Sequence, residues 1–344
     1  MVAQDGAGAS ILAAMDRREA ARARVRLGGE VRRFLEARGY EEVETPCLVP
    51  APGMEPHISA FATPFRPEGG GPERALWLHT SPEYAMKRLL AAGFPRIFQL
   101  ARVFRNGEVS PHHNPEFTML ELYRAGAGYR EIMADLEELL GSCARALCGG
   151  GAAPGRALDL TPPYRRLTVA EAFRDRAGVD LGACQGRVDR LRQAAAAAGL
   201  DPGRPADTYD DLFFRIFLER IEPGLGEGAP VYLTDWPAPM AALARLRPDD
   251  PRWAERFELY AGGLELANGF SELTDAVEQR RRLLAEQEER RRLGRPVHPV
   301  DEDFLAALPR MPPSGGVAVG LDRVLMLLTG AATIGEVLLF PAAP

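Results

Sequence analysis

One stretch constrains this chain more than any other: FRNGEVSPHHNPEFTMLELY, from Phe104 to Tyr123. Phe104 and Arg105 close an alternating run, RIFQLARVF. A polar, proline-bearing loop follows, and a second run, EFTMLELY, leads back. Two runs of period two on either side of a loop predict an antiparallel hairpin. Alternation puts Glu116, Thr118, Leu120 and Leu122 on one face, and Phe117, Met119, Glu121 and Tyr123 on the other. The second face carries an aromatic ring, a carboxylate and a phenol together. Arg105 stands at the hairpin's start. Such a face suits a pocket that holds an anion and a cation a few ångström apart. A surface hairpin with a half-polar face reads the same way at this level.

The rest of the chain can supply a core around that hairpin. It has 344 residues, 46% hydrophobic and 26% charged, as a globular protein does. The longest apolar runs, LLAAGF and VLMLL, are far too short to span a bilayer. The first residues lack a basic start followed by an apolar block, so a cytoplasmic location is expected. Cys47, Cys143, Cys148 and Cys184 show no metal spacing, since the middle two are five apart, and all four are read as free thiols. A net charge of −6 provides no global basic field for nucleic acid. Of 42 basic residues only Lys87 is a lysine. Coding bias is the ordinary cause; a sharper reading is that an enzyme releasing an activated acyl group gains from having few amines of its own.

In chain order, residues 9–38 predict a helix with Ser10 as N-cap, Gly39 as stop, and a weak point at Gly28-Gly29. EEVETPCLV is an extended run ended by prolines. Residues 64–74 read as a loop and ALWLHT as a short strand. Ser81-Pro82-Glu83 is a helix-start signal in which Glu83 complements the dipole. Residues 129–148 predict a helix and 149–156 a linker. Helical stretches follow near 168–177, 186–198 and 207–221, with no cluster of reactive side chains. VYLTDWP returns to strand. RFELYAGGLELANGFSEL predicts a hairpin turning at Gly262-Gly263, with Glu258 and Tyr260 on one face and Glu265 across the turn. Two carboxylates on paired strands can share a divalent cation, although such a pair is more often simply solvated. Residues 274–293 read as a charged helix with a mostly solvated face. SGGVAVGLDRVLMLLTG predicts a glycine-rich strand, a turn at Gly320 and a helix with Arg323 in its first turn. A cation there opposes the helix dipole, which points to an anion for it to meet.

These blocks resemble a known family. Phe104–Tyr123 is similar to motif 2 of the class II aminoacyl-tRNA synthetases in the lysine-type form (FRN…HNPEFTMLE.Y). ETP near Thr45, TSPEY at Thr80, ELANGFSEL at Glu265 and GVAVGLDR at Gly316 extend the similarity in the same order. Within that superfamily the pattern most resembles the short lysyl-tRNA synthetase paralogues that modify elongation factor P. The resemblance implies an α+β fold, an antiparallel sheet flanked by helices. It implies one catalytic domain over residues 1–344, with a mostly helical insertion at about 157–228. About forty residues precede the motif 1 strand, so no N-terminal anticodon-binding OB domain and no anticodon recognition are expected. Motif 1 implies a homodimer. ATP and Mg2+, lysine or (R)-β-lysine, and elongation factor P as acceptor complete the expectation, with no membrane partner.

The same resemblance assigns roles. Arg105 would contact the α-phosphate and Arg323 the γ-phosphate, and these two are the catalytic pair. Glu258 and Glu265 would place magnesium. Phe117 offers a stacking face for adenine with His113 beside it, and Asn114, Leu266 and Gly320 complete the ATP set. Glu83 would take the amino group near the reacting end, beside Ser81. Glu121 and Glu272, with Tyr123 and Asn268, would take the distal ammonium. Ala267 and Ala318 stand where lysyl-tRNA synthetases have glycine and the elongation-factor enzymes have alanine. A methylene-scale change of that kind gives about 1–3 kcal/mol of discrimination. One position departs from the pattern: the glutamate expected two residues after the motif 2 arginine is Gly107, and the acid comes next, as Glu108. Glycine permits an unusual turn that would return Glu108 to the adenine site. Two other readings stay open: activation of an amino acid for another acceptor, tRNA or a small amine, and an inactive synthetase-like subunit that binds and regulates.

Overall fold

The computed structural model describes residues 16–149, 158–184 and 186–342. Ser10 and all but Gly149 of the expected linker lie outside them. Eleven strands form among the described residues: β1 (Glu41–Glu42), β2 (Leu48–Val49), β3 (Phe61–Phe65), β4 (Arg74–Leu78), β5 (Arg96–Phe104), β6 (Glu116–Ala125), β7 (Arg165–Thr168), β8 (Val231–Pro237), β9 (Trp253–Ala261), β10 (Leu264–Ser271) and β11 (Ser314–Gly320). Eight of them make one sheet in the order β1-β5-β6-β11-β10-β9-β8-β7. It is antiparallel except at its two edge pairs, β1–β5 and β7–β8. β2, β4 and β3 form a second, small sheet. The fold is α+β, as expected.

The two faces of the large sheet differ because its strands alternate. Leu120, Leu122, Val317, Val319 and Leu266 point to one side and pack with the helices Arg17–Glu36, Tyr129–Cys148 and Leu321–Thr329. Each such fully buried side chain contributes about 1.5–3 kcal/mol of transfer free energy. Phe117, Met119, Glu121 and Tyr123 point to the other side, where the helix Glu83–Ala91 and the segment 304–311 cover only part of the sheet. The polar face predicted for β6 is therefore the floor of a cleft.

The first helix spans Arg17–Glu36 without a break at the glycine pair, and Asp16 caps it by accepting from Arg18 N–H. The run EEVETPCLV divides into β1 and β2, which join different sheets. Pro46 and Pro50 lack the N–H that a continuous ladder needs. Pro64 and Phe65 belong to β3 and Arg74 to β4, so the loop is shorter than expected; β3 is an edge strand, where proline is tolerated. Helices Val169–Ala177, Val188–Ala197 and Tyr209–Ile216 match the three expected ones. Thr168 with Glu171, and Thr208 with Asp211, start two of them as capping boxes. They bury Phe173 and Phe213 against Trp236 and Leu233 of β8. The charged helix Ala276–Arg292 is not solvated throughout. Arg290 is fully buried and donates to the carbonyls of Glu55, Ile58 and Pro296, tying down the 55–58 segment. All four cysteines are free thiols.

Candidate active site

The sheet register assembles the site in rows. Directly opposed residues on neighbouring strands share a face. Glu121, Ala318, Asn268 and Glu258 are paired in succession across β6, β11, β10 and β9. The next row is Tyr123, Gly316, Phe270 and Arg256. Toward the other end, Met119 opposes Gly320, and Glu265 opposes Tyr260. A bulge between Glu265 and Ala267 explains how Glu265 and Asn268 come to one face. The same bulge sends Ala267 the other way. It opposes Val319 and Leu259, is 2% exposed and belongs to the helix-side core. The expectation that Ala267 lines the substrate pocket is corrected here; of the two alanines only Ala318 lies on the cleft floor. Leu266 is also a core side chain, and only its carbonyl approaches Gly320.

One end of the cleft is a pocket of carboxylates. Glu121 is fully buried; Ser81 Oγ donates to its Oε1 at 2.5 Å and Tyr123 OH to its Oε2 at 2.9 Å. Ser81 also accepts from Glu83 N–H at 3.0 Å, so one hydroxyl starts the helix and holds the strand. Burial, reinforced by the charge of Glu83, lifts the Glu121 carboxyl to about 8. Glu272 follows β10, and burial lifts it to about 7 against the pull of Lys87. Lys87 was not anticipated in this pocket. Its Nζ lies 2.5 Å from Glu83 Oε1 and 2.6 Å from Glu272 Oε2, so the carboxylates expected at opposite ends of a substrate share one ammonium. Gly316 makes room for this. A Cβ there would stand 2.3 Å from the Tyr123 ring and 2.6 Å from Glu272 Oε1. Glu55 is a further acid that sequence reading passed over. It lines a cavity of about 120 Å³ with Ser81, Glu83 and His79, and its buried Oε2 has no hydrogen-bond partner. Its signal was only its place in a proline-rich segment.

The other end carries the cations. Arg105 ends the β5 run, its guanidinium 5.2 Å over the Phe117 ring, with its buried Nε unpartnered. Gly107 takes a φ of +88°, and Glu108 turns back to stand 3.8 Å from Arg105 Nη1. Arg323 donates to the Glu265 carbonyl at 2.7 Å and to His113 Nε2 at 2.6 Å. An arginine cannot accept, so His113 Nε2 is the acceptor and Nδ1–H faces Ser110 Oγ at 2.7 Å. Burial and the two arginines hold His113 neutral, at about 4. Arg323 also donates from Nε to the His112 carbonyl at 3.5 Å, so its three hydrogen-bond acceptors are neutral, and it pairs with the Glu265 carboxylate at 3.6 Å. Asn114 spends its amide inside the loop, donating to Glu116 O at 2.6 Å and accepting from Ala342 N–H at 2.9 Å, which makes it a brace for the loop.

Glu258 is buried, and accepts from Arg256 and Tyr260, each at 2.6 Å. Burial, offset by Arg256 and aided by Glu265, lifts it to about 7. Arg256, stacked 4.2 Å over Trp236, is another residue the sequence reading missed, although its spacing of two from Glu258 predicted the shared face. Glu258 and Glu265 offer hard oxygen donors on adjacent strands. Magnesium takes one or two carboxylates and completes its shell with water and phosphate, so the donor set fits. Among the described residues no cluster of three or more His, Cys, Asp or Glu could hold a metal by itself.

Two long-range contacts fix these parts together. Asp322, 1% exposed, accepts from Thr118 N–H at 2.6 Å and pairs with Arg24. It locks the Arg323 helix to β6 and to the first helix.

A floor of antiparallel strands, an arginine at the end of one and a second at the start of a helix define the class II synthetase architecture. The family model for class II tRNA synthetases of the D, K and N type matches residues 11–344, and the chain belongs to that family. Among its relatives, an elongation factor P--(R)-beta-lysine ligase of Klebsiella pneumoniae (strain 342) is 42% identical over 316 residues, covering 90% of this chain and 91% of that protein. A lysine--tRNA ligase of Dehalococcoides mccartyi (strain 195) is 41% identical over 320 residues, covering 91% of this chain and 62% of that protein. One from Synechococcus sp. (strain RCC307) is 39% identical over 334 residues, covering 96% and 65%. The chain thus spans less than two thirds of the length of these lysine--tRNA ligases. Among the described residues no helix is long and apolar enough to cross a membrane.

Glu108 gives a direct test of the motif 2 loop. Glu108→Ala is expected to raise KM for ATP about tenfold, the cost of one hydrogen bond to a buried donor, with KM for the amino acid unchanged. Steady-state pyrophosphate exchange measures both; an unaltered KM for ATP would leave adenine to backbone groups.

Proposed function

We propose that the chain uses ATP to activate a lysine, with (R)-β-lysine preferred, and transfers the acyl group to a lysine side chain of elongation factor P. The observation that carries this reading is a carboxylate pocket, Glu83, Glu121 and Glu272, on the same sheet face as Arg105, whose buried Nε has no acceptor. A substrate with two ammonium groups needs several acids, because an unpaired buried ammonium is costly. The substrate carboxylate attacks the α-phosphorus of ATP, the bond to the bridging β-phosphate oxygen breaks, and pyrophosphate leaves. The acceptor amine then attacks the acyl carbon, AMP leaves, and the amine loses a proton. The first step needs alignment and charge neutralisation, since a carboxylate is already a nucleophile. Arg105 receives the α-phosphate, Phe117 the adenine ring, and Arg323 the γ-phosphate. Glu258 and Glu265 would hold magnesium, which when bound acts as Lewis acid and template for the phosphates. A homodimer formed through the first helix belongs to the same proposal, as does the assignment of residues 157–228 as an insertion in one catalytic domain.

The test is transfer of labelled (R)-β-lysine and of α-lysine, with ATP, to purified elongation factor P and to bulk tRNA in parallel. Label on the protein supports the proposal. Label on tRNA alone replaces it with a tRNA-charging reading, and absence of any lysine-dependent exchange replaces it with a binding subunit.

Two further outcomes are expected. Ala318 lies between Glu121 and Asn268 on the cleft floor, whereas Ala267 is in the core. Ala318→Gly should shift the ratio of kcat/KM values toward α-lysine by about tenfold, and Ala267→Gly should leave that ratio unchanged. Equal shifts from both would contradict the placement. The second concerns pH. Carboxyls lifted to about 8 and about 7 at Glu121 and Glu272 take up protons as pH falls through that range, and a protonated acid cannot pair an ammonium. For the free enzyme, kcat/KM for lysine should therefore rise with pH from about 6 to about 8. A flat profile across that window, measured by exchange, would count against acids as the reading groups.

A further inference from the structure

Lys87 is the chain's only lysine, and it is not on the surface. Its side chain is 1% exposed, one helical turn after Glu83. Nζ lies 2.5 Å from Glu83 Oε1 and 2.6 Å from Glu272 Oε2. An apolar side chain of the same length would fill that volume more cheaply than a buried ion. A cation held there therefore has an electrostatic use. Glu83, Glu121, Glu272 and Glu55 border the pocket, and Lys87 is the ammonium set among them. A diamino acid whose carboxylate is engaged by Arg105 presents two positive groups to that pocket.

We infer that Lys87 is a positioning and specificity-determining residue: it holds Glu83 and Glu272 at fixed spacing and offsets part of the acidic charge that a substrate with two ammonium groups meets. This rests on the lysine-activating reading above. The shared ammonium engages one oxygen of each acid and leaves Glu272 Oε1 buried without a hydrogen-bond partner. The titratable groups around it are Glu83 on its own helix, Glu121 and Tyr123 on β6 and Glu272 after β10; Glu55 from the 51–58 segment and Glu286 on the helix Ala276–Arg292 lie behind them, both raised by burial and in part by the charge of Glu83. Arg88 and Asp303 pair at 3.5 Å on the exposed side of the same helix, with side chains 47% and 78% exposed. Burial pulls the Lys87 ammonium toward neutrality, but Glu272 and Glu83 more than offset that and hold it charged. In return Lys87 is the group that lowers Glu272.

The test reads pH profiles of lysine-dependent pyrophosphate exchange for the wild-type chain, Lys87→Met and Lys87→Arg, with KM for ATP measured alongside. Removing the cation leaves the acids to repel one another. The acid limb of kcat/KM for lysine in Lys87→Met should then move up by about one pH unit, with about a tenfold rise in KM for lysine at neutral pH that recovers at higher pH. KM for ATP should hold within about twofold, because the phosphate end is untouched. Lys87→Arg keeps the charge, so its acid limb should stay at the wild-type position even if its larger fork raises KM. A Met variant with an unshifted limb overturns the inference. So does an Arg variant whose limb moves as far as that of Met, and this second criterion stands by itself if Lys87→Met does not fold. Wild-type exchange that does not depend on lysine removes the underlying reading, and this inference with it. A lysine-dependent wild type with unshifted variants removes the inference alone.

Discussion

Arg105→Ala is expected to lower kcat/KM for pyrophosphate exchange about a thousandfold while leaving the melting temperature within about 2 °C of wild type. The size follows from what Arg105 does in the resting chain. Its backbone N–H bonds Pro115 O at 2.8 Å and closes the loop, so the residue is fixed in place. Its guanidinium has no close ion pair: Glu108 stands 3.8 Å away and the buried Nε has no acceptor. A desolvated donor without a partner is a cost in the free protein that an incoming anion removes. Loss of one preorganised donor to a developing charge typically costs 10²–10³ in rate, and a bidentate guanidinium in the proposed α-phosphate role lies at the upper end. Because the side chain contributes few core contacts, stability is nearly indifferent to it. Arg105→Lys keeps the charge and loses the fork, and should fall about a hundredfold. Exchange within tenfold of wild type for the alanine variant would mean that the α-phosphate is stabilised elsewhere.

The legible part of the site was what a period of two and a short motif can carry. Alternation along EFTMLELY placed Glu121 and Tyr123 on one face, and they share it, joined by a hydrogen bond at 2.9 Å. The glycine before Glu108 could be anticipated to take positive φ, and it does, with Glu108 3.8 Å from Arg105; its role toward adenine is what the KM for ATP of Glu108→Ala tests. What could not be read was register. Ala267 was expected in the pocket because the resemblance pairs it with Ala318, but the bulge between Glu265 and Ala267 turns it into the core. A bulge is set by how two strands meet, not by either alone. Tertiary partners were equally hidden. Lys87 reads as one more charged position on a helix until β10 delivers Glu272 to it. Arg290 reads as a solvated arginine until the 55–58 segment brings its carbonyls. In each case the charge pattern was visible, but the backbone that would satisfy it was distant in sequence.

Asp322→Ala is expected to destabilise the chain by about 3 kcal/mol and to reduce exchange by about a hundredfold at temperatures where it remains folded. Asp322 sits in the first helical turn, beside Arg323, yet its carboxylate points away from the cleft. It is 1% exposed, accepts from Thr118 N–H at 2.6 Å and pairs with Arg24, which also donates to Val337 O at 2.9 Å. Alanine would strand a partly buried backbone N–H and leave a guanidinium, 22% exposed, without its counter-ion. Removing one partner of a buried pair costs 3–5 kcal/mol, and the partial exposure of Arg24 argues for about 3. The effect on rate follows from position. The helix that carries Arg323 is attached to β6 through this carboxylate, and β6 carries Glu121 and Tyr123. A tilt of about 1 Å at that joint moves Arg323, the proposed γ-phosphate contact, relative to the carboxylate pocket, which is enough to cost about a hundredfold. Asp322→Asn separates the two consequences. Its amide oxygen can still accept from Thr118 N–H, so geometry and rate should largely survive while the ion pair, and with it most of the stability, is lost. Thermal melts and exchange rates on the two variants decide the matter. An asparagine variant as slow as the alanine one would show that charge, not attachment, links Asp322 to the reaction.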